Sequence, residues 1–255
     1  MSAIEVIPLE TRIQGAKFII AAAVAYVVLR LAGFHQLFGS DGEGLAALLQ
    51  IIGTLYSVVY AFATYVIWGQ FAAVENEILK ESGALKDLIL FSRSMKEATR
   101  DPIVRAVRAY GRAVSESEWG MLSRGESTER TDKLFSAIIS SVIEVKPEDD
   151  SERRAHDQLL AIANQASGHR DERLALSGKR IPRTLLLFVT MTAFSILFLL
   201  LFYPFHNLAV GVVSIALTMT LFYFAHFVLT DLDNPFEGTW NVNSRPFDDL
   251  ATKYR

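Results

Sequence analysis

A chain of 255 residues, 51% hydrophobic, with a formal charge of −3 and no cysteine, can hold a membrane bundle and one soluble helical subdomain but not a second large domain. The slightly negative charge argues against nucleic acid as a partner. The lack of cysteine excludes structural disulfides and thiolate metal sites.

The opening stretch MSAIEVIPLETRIQGAK is polar for too long to be a cleavable signal, and it carries Glu5 and Glu10. The first apolar segment is therefore expected to stay in the protein as an anchor. It runs from Phe18 to Phe38 and reaches the roughly 20 apolar residues a membrane crossing needs only by tolerating Arg30. That side chain can snorkel to the interface or pair with Asp41 or Glu43. A short link, Gly39 to Gly44, leads to a second span, Leu45 to Trp68.

Beyond Trp68 the apolar positions Phe71, Val74, Ile78, Leu85, Leu88 and Ile89 keep helical spacing, so the second helix is expected to run on past the membrane. Asp101-Pro102 restarts a helix by a cap-then-proline signal, and Ser127 to Asp132 breaks the pattern. A third soluble helix carries Leu134 to Ile143 and stops at Lys146-Pro147; a last one starts near Glu148 and reaches Ile181-Pro182. Two further spans follow, Thr184 to Phe205 and Leu208 to Leu229, joined by Pro204 to Asn207.

This pattern predicts an all-α polytopic membrane protein. Four transmembrane helices form two hairpins, residues 1–68 and 184–229, around a helical subdomain at 69–183, with a C-terminal tail at 230–255. Neither short link contains a Lys or Arg, whereas 19 of the 25 basic residues fall between Val74 and Arg183. By the positive-inside rule both termini and the middle segment are cytoplasmic.

Nothing in the sequence argues for an enzyme. The five histidines never form the i, i+4 pattern with a Glu that builds a helical zinc site. No serine sits in a G-x-S-x-G elbow, and the glycine-rich link joins two spans instead of a strand and a helix.

The second span carries a polar stripe. Gln50, Thr54, Ser57, Ala61 and Thr64 follow spacings of 4, 3, 4 and 3, which places them on one helical face that Trp68 ends. Small hydroxylated residues let membrane helices pack closely. They also line water-filled pores when several copies surround an axis, and both readings stay open. After the fourth span, Asp231, Asp233 and Glu237 sit on a backbone that Asn234, Pro235 and Gly238 turn. Such oxygens can bind calcium; the alternative is that they pair with basic residues or cap a helix.

Gly53 to Trp68 (GTLYSVVYAFATYVIW), Glu118-Trp119 after Tyr110, Arg180-Ile181-Pro182 and Asp231 to Gly238 (DLDNPFEG) together resemble the bacterial bestrophin-like family of four-span membrane proteins. The resemblance runs over nearly the whole chain. It is weaker to true bestrophins, which are oligomeric ion channels, usually pentamers, with a second span that lines the pore and an acidic calcium clasp after the fourth. Here Glu237-Gly238-Thr239-Trp240 replaces the acidic run that follows the N-P-F motif in animal bestrophins. The resemblance implies a homo-oligomer in the bacterial inner membrane, five subunits first and four next, that passes inorganic ions along the Gln50, Thr54, Ser57, Ala61, Thr64 and Trp68 face. The competing expectation is a non-conducting membrane scaffold or sensor whose soluble helices bind a protein partner.

Overall fold

The computed structural model describes residues 8–34, 36 and 41–254; Phe38, at the end of the first expected span, and Gly39 and Ser40 of the first link lie outside the described residues. Among the described residues every regular element is helical: α1 Leu9–Leu31, α2 Gly42–Ser92, α3 Glu97–Ala113, a π turn Val114–Glu118, α4 Trp119–Leu122, α5 Glu129–Ile143, α6 Asp150–Ser177, α7 Arg183–Phe202, α8 Leu208–Leu232 and α9 Arg245–Thr252. The chain divides into two compact units, residues 1–67 with 181–233, and 68–180 with 234–255. Among the described residues four helices, α1, α2, α7 and α8, are long and apolar enough to cross a membrane.

In the first unit α1 and α8 run antiparallel. Tyr223 donates to the carbonyl of Thr11 at 2.8 Å near one end, and near the other Tyr26 lies against Gly211 so closely that a Cβ there would stand 1.9 Å from the tyrosine oxygen. Lipid tails are as apolar as leucine, so such close van der Waals fit, and not exclusion from water, is what holds membrane helices together. α2 runs parallel to α8, with Tyr56 against Phe222 at 4.8 Å and Tyr60 donating to the carbonyl of Ala225 at 3.4 Å. Ile20, Val24, Phe194 and Val213 point outward and are more than half exposed.

α1 begins nine residues before the expected Phe18. Its first turns are amphipathic and read as a polar leader in the sequence, while Gly33, with φ of +83°, ends the helix soon after Leu31. The long second helix is borne out: at 1.5 Å per residue its 51 residues measure about 75 Å, well over the roughly 30 Å of a bilayer core.

The second unit buries a conventional hydrophobic core. Val74, Ile78, Leu85 and Leu88 of α2 meet Ile103 and Val107 of α3, Ile138 and Val142 of α5, Leu159 of α6, and Phe247 and Leu250 of α9. Two boundaries differ from expectation. α3 starts at Glu97, with Pro102 inside it; the amides of Thr99 and Arg100 bond back to Lys96, so the helix is already nucleated when the proline arrives. α5 starts at Glu129, because the Thr128 side chain accepts from the Thr131 amide and caps it within the stretch that reads as a break.

Candidate functional site

The polar stripe lies on a part of α2 that the chain leaves bare. Gln50, Thr54, Ser57, Ala61 and Trp68 are exposed and Thr64 is half-buried. Going around the helix by about 100° to one side, the chain's own bundle covers α2: Ala63 and Ile67 are fully buried, and Tyr56 and Tyr60 are partly covered. About 100° to the other side lies a bare apolar strip of Ile51, Leu55, Val58, Phe62 and Tyr65. The helix therefore presents a covered side, a bare polar stripe and a bare apolar strip in that order.

The hydroxyls of the stripe are satisfied within their own helix. Thr54 donates to the carbonyl of Gln50 at 2.8 Å, Ser57 to that of Gly53 at 2.8 Å and Thr64 to that of Tyr60 at 2.9 Å. Bonding back to the i−4 carbonyl uses up the proton and leaves each oxygen able to accept. Trp68, one turn beyond Thr64, stacks on Phe71 at 6.1 Å and meets Trp240 edge-on at 6.3 Å.

The acidic turn after α8 fastens backbone. Asp233 accepts from the amide of Ile181 at 2.6 Å, and Glu237 accepts from the Asn234 side chain at 3.3 Å. Asp231 ends α8. Asn234 also holds Arg180 at 3.1 Å, and both reach the carbonyl of Ser123. Phe236 meets Trp119 edge-on at 5.3 Å. No group of three His, Asp or Glu side chains among the described residues is gathered so that it could hold a metal. Asp231, Asp233 and Glu237 are accordingly not brought together as calcium ligands here.

One constellation in the second unit joins Tyr110 and Glu118, which the sequence marks only as a motif, to charged residues that the sequence does not single out. Arg173 of α6 is fully buried; its Nε donates to Glu81 of α2 at 2.6 Å and its Nη2 lies 2.9 Å from Glu118. Tyr110 donates to Glu81 at 2.5 Å, Thr131 donates to Glu118, and Arg170 pairs with Asp132. The π turn is what carries Glu118 inward to this cluster. Burial disfavours the Arg173 cation, but Glu81, Tyr110 and Glu118 outweigh it and raise its pKa; burial likewise pushes the Tyr110 phenol up.

Residues 15–247 match the bestrophin-like domain. The chain belongs to the bestrophin-like family. Its fold is that of crystal structures of a bacterial bestrophin homologue from Klebsiella pneumoniae. One single-residue variant of that protein gives a TM-score of 0.70 at 15% identity, covering 92% of this chain and 97% of that one. The homologue phased on zinc gives 0.68 at 12% identity, covering 92% and 98%. No curated protein matches the chain significantly. Apolar helices and family membership together make this bestrophin-like chain an integral membrane protein.

Proposed function

We propose that this chain assembles with copies of itself into a ring and conducts inorganic ions passively, with α2 lining the path through Gln50, Thr54, Ser57, Ala61, Thr64 and Trp68. The observation that carries this reading is the order of the three strips on α2. A neighbouring copy that covers the bare apolar strip brings its own polar stripe round to the same axis, and a head-to-tail contact of this kind repeats until it closes a ring. Family membership favours five copies, with four the next choice.

Stripe oxygens whose protons are already committed to the helix can stand in for water around a passing ion. Trp68 narrows the inner end. No residue of the stripe is charged, so no single-sign ring lines the path. The distribution of Lys and Arg supports an orientation with both termini and residues 69–183 cytoplasmic, and the family likeness favours a bacterial inner membrane.

Protein reconstituted in planar bilayers is expected to pass current in simple salts without an energy source, and Ala61→Phe to reduce it by narrowing the path. A protein that passes no current at any salt, potential or calcium concentration, and whose stripe resists modification, would instead be a scaffold or sensor.

A further inference from the structure

We propose that the membrane-crossing unit holds one acyl chain of an anionic phospholipid in a cavity among its four helices. The cavity measures about 530 Å³ and touches α1, α2, α7 and α8, within the roughly 300–1,000 Å³ typical of small-molecule sites. Its walls include Phe18, Ala193, Leu197, Met219 and Phe222. Apolar walls of this kind do not hold water, and an empty space would cost the lining its dispersion contacts. Hydrocarbon is the apolar filler that a bilayer supplies.

The polar groups of the lining mark where the chain's head would sit. Thr11 and Gln14 belong to the first turns of α1, and His226 and Thr230 to the last turns of α8. The antiparallel pairing, fixed by Tyr223 on Thr11, puts these ends together. The Gln14 amide and the His226 ring make no hydrogen bond within the chain among the described residues, whereas Thr230 is satisfied by its own helix. Both free groups can bond an ester or phosphate oxygen.

Charge decides the headgroup. Arg12 adjoins Thr11, and Arg183 stands two turns before the cavity-lining Thr190 on the same face of α7. Neither forms an ion pair among the described residues, and both are exposed. Guanidinium forks match phosphate oxygens, so the site selects an anionic phospholipid over a zwitterionic one. Phe18 and Phe194 line the cavity and are each more than half exposed.

The test uses the full chain in detergent and reads bound lipid, so it stands apart from whether the protein conducts. Phosphatidylglycerol with a diazirine at the acyl terminus is expected to label Ala193, Leu197 and Met219 in preference to the outward Val213 and Leu217. It should be retained about tenfold better than phosphatidylcholine, a difference of about 1.4 kcal/mol. Ala193→Trp should remove the retained lipid, Val213→Trp should not, and Arg183→Gln should equalise the two headgroups. Label mapping on the unaltered chain stands even if Ala193→Trp fails to fold. Label spread evenly over outward faces, equal retention of both lipids, or binding of a free fatty acid but not of phospholipid would each overturn the assignment.

Discussion

Arg173 is fully buried between two carboxylates, and removing one partner of such a cluster costs more than the pair itself contributes, because the remaining charges stay desolvated. Arg173→Met should therefore lower stability by about 3–5 kcal/mol, a fall of roughly 10 °C at the 2–4 °C per kcal/mol expected for a chain of this size. Circular dichroism melts of the detergent-solubilised protein check this, and an unchanged midpoint would mean that the cluster is not structural. Glu77 offers a pH-dependent counterpart. Burial pushes its carboxyl up, but hydrogen bonds with Lys80 at 2.7 Å and His169 at 2.8 Å outweigh this and hold it below the ordinary 4.5. A carboxyl lowered by folding adds stability that is whole above its unfolded value and is lost as pH falls through its folded one. Glu77→Gln should flatten the drop in melting temperature on acidification below pH 4.5, and an equally steep drop would count against the pairing. Of the Arg173 cluster only Tyr110 and Glu118 stand out in the sequence, through the family motif, and nothing there pairs them. Glu81, Tyr110, Glu118 and Arg173 lie on four separate elements, and the π turn that swings Glu118 inward leaves no spacing signature.

At the scale of elements the sequence reads best where one face decides. The 3.6-residue pattern from Phe71 to Ile89 foretells the continuation of α2, since the side that the chain's own bundle covers higher up, through Ala63 and Ile67, runs on in register as core in the second unit. α9 goes unread because eight residues hold too few turns for a period, although Ser244 followed by Pro246 is a helix-start signal. The stripe itself is legible, but the apolar strip beside it becomes informative only when the structure shows that the chain does not cover it. That strip sharpens the chemical test. In this cysteine-free chain, Thr54→Cys, Ser57→Cys and Thr64→Cys should react with small charged thiol reagents, and the modification should change conductance. Leu55→Cys and Val58→Cys should be protected by the neighbouring copy, and Ala63→Cys by the chain's own bundle. Fast reaction at Leu55 and Val58 in the intact assembly would place water, and not a neighbour, against the apolar strip.

At the scale of the whole molecule, orientation and assembly are separate questions. Orientation rests on charge alone: a tag at Gly42 should be reachable from outside and tags at Ser127 or the C terminus should not, and external labelling at Ser127 would reverse the topology. Assembly rests on α2. One copy presents a single hydroxylated stripe, which cannot enclose a path, while its apolar strip and stripe stand about 100° apart on the helix. A two-fold contact would bury the strip of one copy against the same strip of another and leave the stripes on different sides. A rotational head-to-tail contact instead repeats strip against neighbour and keeps every stripe on the axis. Native mass spectrometry of the detergent-extracted protein should therefore show one closed species, of five chains by family likeness or else four. Phe62→Asp, which puts a charge into the strip without touching the stripe, should release subunits from it. A monomer in mild detergent would remove the basis for conduction, and a dimer would show that the strip pairs with itself.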